Sequence, residues 1–305
     1  MSLRRKLLNR YLRRFEKPRL AETVDVVDIR KAFDQGSRLF LHPPFGIRKK
    51  KIRLAGGLDA LQVSPRTLQS DLVVFYIHGG GFMFGRPENY VAMMGNLAKR
   101  LGARIVLPRY RLAPEHPCPC AIDDVVGSYL GLVQSGVPPG NIVIGGDSAG
   151  GTLAFNLLAR ITAEGWPRPR GVFSFSPFAD FAFEGASVRE NAVRDPILPV
   201  ERANEMLEMY LAGADPKDPA INPMTAEYRG APPVWICVSD TEILRDDARR
   251  LTQRLKDMGI LCHLEESYHL PHVWPIFHFF LPEARETLDG VAAWIKALPP
   301  TAVEN

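Results

Sequence analysis

Ser148 stands at the centre of Gly146-Asp147-Ser148-Ala149-Gly150, between the apolar run Asn141-Ile142-Val143-Ile144-Gly145 and the helix-like stretch Thr152–Leu158. The pattern is strand, sharp turn, helix, with a hydroxyl at the apex. Glycines two positions to either side let neighbouring backbone come close where a larger side chain would clash. Such a turn holds the hydroxyl exposed and strained, the geometry of a nucleophile elbow. The helix that begins just after Ser148 points its N-terminal dipole at any negative charge formed there. Taken alone, the five residues also fit a glycine-rich turn of an ordinary α/β protein, and only their context separates the two readings.

A second segment supplies context. Leu72-Val73-Val74-Phe75-Tyr76-Ile77 reads as a buried strand and runs into His78-Gly79-Gly80-Gly81-Phe82. Attack of a hydroxyl on an acyl carbon puts negative charge on the carbonyl oxygen. Backbone N–H groups aimed at that oxygen stabilise it, and loss of one such donor costs about 3 kcal/mol. Consecutive glycines can turn their amides toward a ligand with no side chain in the way. The N–H of Ala149, directly after the nucleophile, is a further donor. His78, at the strand end, reads as a brace for the loop.

A serine nucleophile needs a base, and the base needs a carboxylate. Beyond Ser148 the histidines are His263, His269, His272 and His278. His263 lies in the strand-like run Ile260–Leu264, and His278 in an aromatic helical segment, so both read as structural. His269 and His272 fall in the loop after that strand, where catalytic groups gather. Asp240 and Glu242 sit just beyond the apolar run that ends near Val238. Asp246 and Asp247 open the next helix, where the dipole explains a carboxylate without chemistry. On the residues alone, two bases and two acids stay open.

These segments together resemble the bacterial hormone-sensitive-lipase-like esterases of the α/β-hydrolase fold, over about residues 70–298. The resemblance rests on His78-Gly79-Gly80-Gly81, Tyr110-Arg111-Leu112-Ala113-Pro114-Glu115-His116-Pro117, Gly146-Asp147-Ser148-Ala149-Gly150, Asp240–Asp247 and Pro271-His272-Val273-Trp274. It implies a triad in chain order serine, acid, histidine, with His272 as base, since His272-Val273-Trp274 matches the family's step and His269 does not. The family's acidic signature is D-P-L-x-D-E. Glu242-Ile243-Leu244-Arg245-Asp246-Asp247 overlays it with a glutamate in the acid's place, which favours Glu242 and keeps Asp240 as the alternative. The resemblance also implies that Gly80 and Gly81 join Ala149 in the oxyanion hole, that Asp147 braces the glycine loop, and that Arg111 and Asp124 hold structure. The expected activity is a serine carboxylesterase acting on short- to medium-chain acyl esters, possible lactones included. A non-catalytic small-molecule-binding protein on the same fold is the alternative, since fold does not fix function.

Composition bounds the rest. The 305 residues are 46% hydrophobic, ordinary for a chain with a sizeable core, and the net charge is only +4. Nothing basic lines the motifs in a way that calls for a phosphate or nucleic acid, so a small ester is the expected partner. The sequence leaves a homodimer open. No run of 18 apolar residues occurs, so no stable membrane insertion is expected. The four cysteines, Cys118, Cys120, Cys237 and Cys262, have no zinc spacing. Without a secretion signal they read as free thiols of a cytoplasmic protein. His269 and His272 lack a carboxylate at metal-motif spacing, and no metal or cofactor is expected.

The basic N-terminal stretch Leu3–Phe15 carries Leu7, Leu8, Tyr11, Leu12 and Phe15 at helical spacing. The resemblance makes it part of a cap over the acyl pocket; a mitochondrial presequence and a membrane-surface helix are the other readings. Residues 1–45 predict two helices joined near Pro18, the second over Val24–Leu41. Arg48–Leu54 and Leu58–Val63 predict a hairpin. Strand–helix repeats then predict a mostly parallel central sheet with helices on both faces, the α/β class. The expected organisation is an N-terminal helical cap segment over residues 1–45, an α/β-hydrolase core over 46–177 and 226–300, and a second cap segment over 178–225. Phe82, Phe84, Phe181 and Trp274 flank the motifs and are candidates to line an acyl site, with plain core packing as the competing reading.

Overall fold

The computed structural model describes residues 2–299; residues 1 and 300, the outer limits of the expected segments, lie outside them. The chain builds one eight-stranded sheet from β1 (Ile47–Arg53), β2 (Asp59–Pro65), β3 (Val73–Ile77), β4 (Arg104–Pro108), β5 (Ile142–Asp147), β6 (Gly171–Phe175), β7 (Val234–Ser239) and β8 (Cys262–Ser267), in the spatial order 1-2-4-3-5-6-7-8. The hairpin β1–β2 is antiparallel and β2 pairs antiparallel with β4; every other neighbouring pair is parallel.

Strand alternation divides the core between the two faces. Val73, Phe75, Ile77, Ile142, Ile144, Ile236 and Val238 pack to one side, with Val125 and Tyr129 of α5 (Cys120–Gln134), Phe155 and Leu158 of α6 (Ala149–Ala163) and Leu251 and Leu255 of α9 (Arg245–Asp257). Val74, Tyr76, Val143, Phe173, Phe175 and Trp235 pack to the other, against Met94 and Leu97 of α4 (Val91–Leu101) and Leu288 and Val291 of α10 (Pro282–Ala297). Both faces are therefore covered, which is why β3, β5, β6 and β7 are buried along their whole length.

The N-terminal segment departs from expectation. Helix α1 (Leu3–Tyr11), a π-turn over Leu12–Glu16 and α2 (Lys17–Glu22) follow one another without a break, and the chain turns at Thr23 and Val24 before α3 (Val26–Phe40). Pro18 is not a joint. It follows the π-turn directly, and the helical run passes through it. The real start of α3 is the Asp25 cap, whose carboxylate accepts from Val27 N–H at 2.7 Å. Residues 178–225, between β6 and β7, contain α7 (Ser187–Glu190) and α8 (Val200–Leu211). Met206, Leu207, Tyr210 and Leu211 of α8 join the core of the first face, and the Tyr210 ring stacks on Phe82 at 3.8 Å.

Candidate active site

The turn after β5 places Ser148. Its φ of 51° and ψ of −124° lie outside the helical and extended regions, a strained conformation for a non-glycine residue. Hydrogen bonds hold it there: Ser148 N–H donates to the Phe175 carbonyl at 3.0 Å, and the Ser148 carbonyl accepts from Gly151 at 2.9 Å. Gly150 is required by contact. A methyl group there would collide with the carbonyls of Ile77 and His78, so only glycine lets α6 start this close to the end of β3. Ala149 is the first residue of α6, and its N–H has no acceptor within the helix.

The loop after β3 lies beside that turn. Gly80 and Gly81 take φ of 117° and 55°, and the Gly80 carbonyl accepts from Met83 and Phe84, both at 2.9 Å. Asp147 fixes the loop to the nucleophile's strand. Its Oδ1 accepts from Gly79 N–H at 3.0 Å and from the Tyr76 hydroxyl at 2.8 Å, and its Oδ2 from the Tyr90 hydroxyl at 3.1 Å. Burial pushes the Asp147 carboxyl up to about 6 despite these donors. His78 is buried with its Nδ1 at 2.9 Å from the Gly79 carbonyl, and Tyr110 stacks on its ring and donates to its carbonyl at 2.7 Å. Burial lowers the His78 imidazole to about 4, so it stays neutral, with Nδ1–H as donor to Gly79.

Glu242 and His272 meet beyond the ends of β7 and β8. Nδ1 of His272 lies 2.6 Å from Oε2 of Glu242, both buried. The other Glu242 oxygen accepts from Ser239 N–H at 2.8 Å and from the Ser176 hydroxyl at 2.9 Å. Burial acts to neutralise the His272 imidazole. The hydrogen bond and charge of Glu242, with the charges of Asp195 and Asp147, outweigh it and raise the ring above its ordinary 6.5. With Nδ1 engaged by the carboxylate, Nε2 is the nitrogen left for a partner.

Asp240 takes a different place. Its Oδ1 accepts from His269 N–H at 2.6 Å, and its Oδ2 is 3.2 Å from Arg194. His269 therefore pairs with Asp240 and His272 with Glu242. His263 is exposed on β8, His278 is buried, and neither borders the cavity at Ser148. Arg111 and Asp124 form a two-pronged ion pair, both contacts 2.8 Å, that anchors the turn after β4.

Ser148, His272, Gly80, Gly81 and Ala149 all border one cavity of about 200 Å³. Apart from Asp147 and Tyr90, its other walls are apolar. Phe82 and Phe84 line it, as do Phe178, Phe183, Met206 and Leu207, and from the N-terminal segment Leu20 and Phe33. Phe181 and Trp274 do not. Phe181 is packed behind Phe178 at 5.3 Å between centroids, and Trp274 is fully buried on the other face of the sheet, its indole N–H donating to Thr287 at 2.9 Å. Proximity in sequence to His272 misleads here, because the left-handed turn at Val273 sends the next residue away from the cavity.

Several supports escaped the sequence reading. Ser176, itself at φ 48°, donates to Glu242 and accepts from Val273 N–H at 3.2 Å, so one hydroxyl joins the acid to the loop of the base. Asn191 donates to the carbonyls of Asp240 and Glu242 at 2.9 and 2.8 Å. Buried Asp195 accepts from Ile243 N–H at 3.0 Å, beside the acid. The inner side of the N-terminal helix reaches these loops as well. Asn9 donates to the His269 carbonyl at 2.8 Å, Arg13 to the Arg194 carbonyl at 2.6 Å, and Lys17 to the carbonyls of Ala192 and Asp195 at 2.5 and 2.8 Å. The turn-forming pair Asp195-Pro196 was a visible signal of local structure, but not of its reach to the acid. Among the described residues no group of three or more His, Cys, Asp or Glu is placed to hold a metal, and no helix is long and apolar enough to cross a membrane.

A family profile described as the alpha/beta hydrolase fold matches residues 74–276. The chain is 34% identical over 267 residues to an acetyl-hydrolase of Streptomyces hygroscopicus, covering 88% of each. It is 31% identical over 271 residues to an esterase of Acinetobacter venetianus, again 88% of each. Among solved structures it superposes on EstE5 with a TM-score of 0.92 and 31% identity, covering 97% of this chain and 98% of that one. An esterase of the bacterial hormone-sensitive lipase family gives a TM-score of 0.91 and 30% identity, covering 98% and 99%. With its sheet order, serine turn and glycine loop, the chain belongs to the bacterial hormone-sensitive-lipase-like esterases of the α/β-hydrolase fold, which are carboxylic ester hydrolases.

Proposed function

We propose that the protein hydrolyses short- to medium-chain acyl esters, and lactones of similar size, through an acyl-enzyme at Ser148. Ser148 Oγ attacks the acyl carbon and passes its proton to Nε2 of His272. The carbonyl oxygen becomes an oxyanion held by the N–H groups of Gly80, Gly81 and Ala149. His272 returns the proton to the leaving alcohol as the ester C–O bond breaks. Water, deprotonated by His272, then attacks the acyl-enzyme, and the acid and Ser148 are released. Glu242 holds the imidazole in one tautomer and stabilises its charged form. The observation that carries this reading is the Glu242–His272 hydrogen bond in a ring that shares a cavity wall with Ser148 and the glycine loop.

The apolar walls favour an acyl chain, and the modest volume favours a short one. Segments 1–45 and 178–225 act as two parts of a cap, supported by the presence of Leu20, Phe33, Met206 and Leu207 in the cavity wall. The test is pre-steady-state release of nitrophenol from p-nitrophenyl butyrate. The wild type is expected to show a burst with amplitude near the enzyme concentration, and Ser148→Ala none. Equal rates in the two proteins would leave only the binding-protein reading.

A further inference from the structure

The outer side of the N-terminal helix is unusual for a protein surface. Leu3, Leu7, Tyr11 and Phe15 recur every four residues along α1 and the π-turn and are 71, 53, 45 and 56% exposed. The opposite side carries Leu8, Asn9 and Leu12, which pack onto the body. The helix is therefore held by one side while a second apolar stripe faces outward. Tyr11 and Phe15 touch at 5.3 Å between rings, and Arg4 at the start of the helix binds the Phe280 carbonyl.

Charge identifies what such a stripe meets. Exposed Arg4, Lys6, Arg10 and Arg14 flank it, and Glu16 is the one acidic residue over 2–16, already paired with Arg19. A second copy of the chain would set these cations against their equals, which is unfavourable. An anionic bilayer complements both features, since apolar side chains enter the headgroup boundary while arginines meet phosphates. The same helical run continues to Leu20 in the cavity wall, five residues or about 7.5 Å beyond Phe15.

We propose that Leu3, Leu7, Tyr11 and Phe15, with their flanking arginines, dock the protein on the surface of an anionic lipid bilayer, with the acyl cavity close to that surface. The docking is peripheral and does not rest on the proposed reaction.

Co-sedimentation of the full chain with vesicles tests it. Vesicles of phosphatidylcholine alone and of equimolar phosphatidylcholine and phosphatidylglycerol are compared at low and high salt. The wild type is expected to bind the anionic vesicles at least ~10-fold better, and to lose much of that in high salt. Arg10→Gln with Arg14→Gln should weaken binding about 25-fold, at about 5-fold for each cation. Leu7→Glu with Phe15→Glu should abolish it. Turnover of a soluble short-chain ester should stay at the wild-type rate in both variants, showing that they fold. Equal binding to neutral and anionic vesicles, or variants that bind like the wild type, would overturn the proposal. So would a dimer dissolved by the Leu7/Phe15 change in a protein that ignores vesicles, which would assign the stripe to a second copy.

Discussion

Glu242 and Asp240 stand two residues apart, yet their carboxylates serve different histidines: Oε2 of Glu242 is 2.6 Å from Nδ1 of His272, whereas Asp240 accepts from the backbone of His269. The turn after β7 separates them. Glu242 N–H bonds back to the Ser239 carbonyl at 3.1 Å, which folds the glutamate inward and leaves Asp240 on the rim. Glu242→Ala should therefore lower kcat by about 10³-fold or more, as expected for a triad that loses its acid. Asp240→Ala should cost less than ~10-fold, through a looser His269 loop. Steady-state kinetics on a soluble ester separates the two, and the reverse order would move the acid's role to Asp240.

The raised imidazole sets the pH dependence. As the proposed base His272 works only when neutral, so activity should be lost as pH falls through its folded pKa. Because Glu242 holds that pKa above 6.5, the acid limb of kcat/KM should have its midpoint above 6.5. Glu242→Gln removes the charge and leaves burial to dominate, so the limb should move to lower pH while the plateau falls. For stability the sign runs the other way. The ring's contribution is fully present below pH 6.5 and is lost as pH rises through the folded pKa. A limb that stays put in Glu242→Gln would show that the carboxylate does not control the ring.

Two neighbouring glycines should respond differently to a methyl group. At Gly80 a Cβ would strike the Phe84 carbonyl, which is backbone, while at Gly81 it would strike the terminal methyl of Met206, which can move. Both positions have positive φ, so both substitutions are strained. Gly80→Ala should lower kcat by about 10²-fold or more by displacing the loop. Gly81→Ala should cost less and regain activity when combined with Met206→Ala, whereas Gly80→Ala should not. Failure of Met206→Ala to help Gly81→Ala would place the cost in the backbone alone.

Ser176 offers a test of support without contact to substrate. Ser176→Ala removes a donor to Glu242 and an acceptor from Val273, leaving a buried carboxylate oxygen with one partner fewer. We expect kcat to fall about 10-fold with KM little changed, and stability to fall by about 2 kcal/mol in urea unfolding. Ser176→Thr, which keeps the hydroxyl, should restore more of kcat than of stability, because its extra methyl enters a packed site. A change confined to stability would leave Ser176 with a purely structural part.

Motifs read in sequence lead to the site where the local chain carries its own geometry. Ser148, Gly80, Gly81 and Ala149 come together because strand, turn and helix dictate where backbone N–H groups point, and the glycines mark the close approaches. Of the two readings open for Trp274 and Phe181 the structure takes core packing, because the left-handed turn at Val273 redirects Trp274 and Phe178 stands in front of Phe181. Asp195, Asn191 and Ser176 were invisible for another reason. Each is an ordinary polar residue whose importance comes from a partner 48 to 97 positions away. Pro18 illustrates a third limit, since the helical run passes through a proline where a π-turn directly precedes it.

The donors of Asn9, Arg13 and Lys17 grip the same loops that steady Asp240, Glu242 and His269, while Leu20 on that helix forms part of the acyl wall. On the proposed reaction, ester preference and turnover should thereby be mechanically linked. A laboratory or natural lineage that exchanges this segment to admit a bulkier chain must also rebuild the fastening behind the imidazole, so new specificities should emerge first as slow enzymes and recover speed only through later changes in residues 191–195 or 268–270.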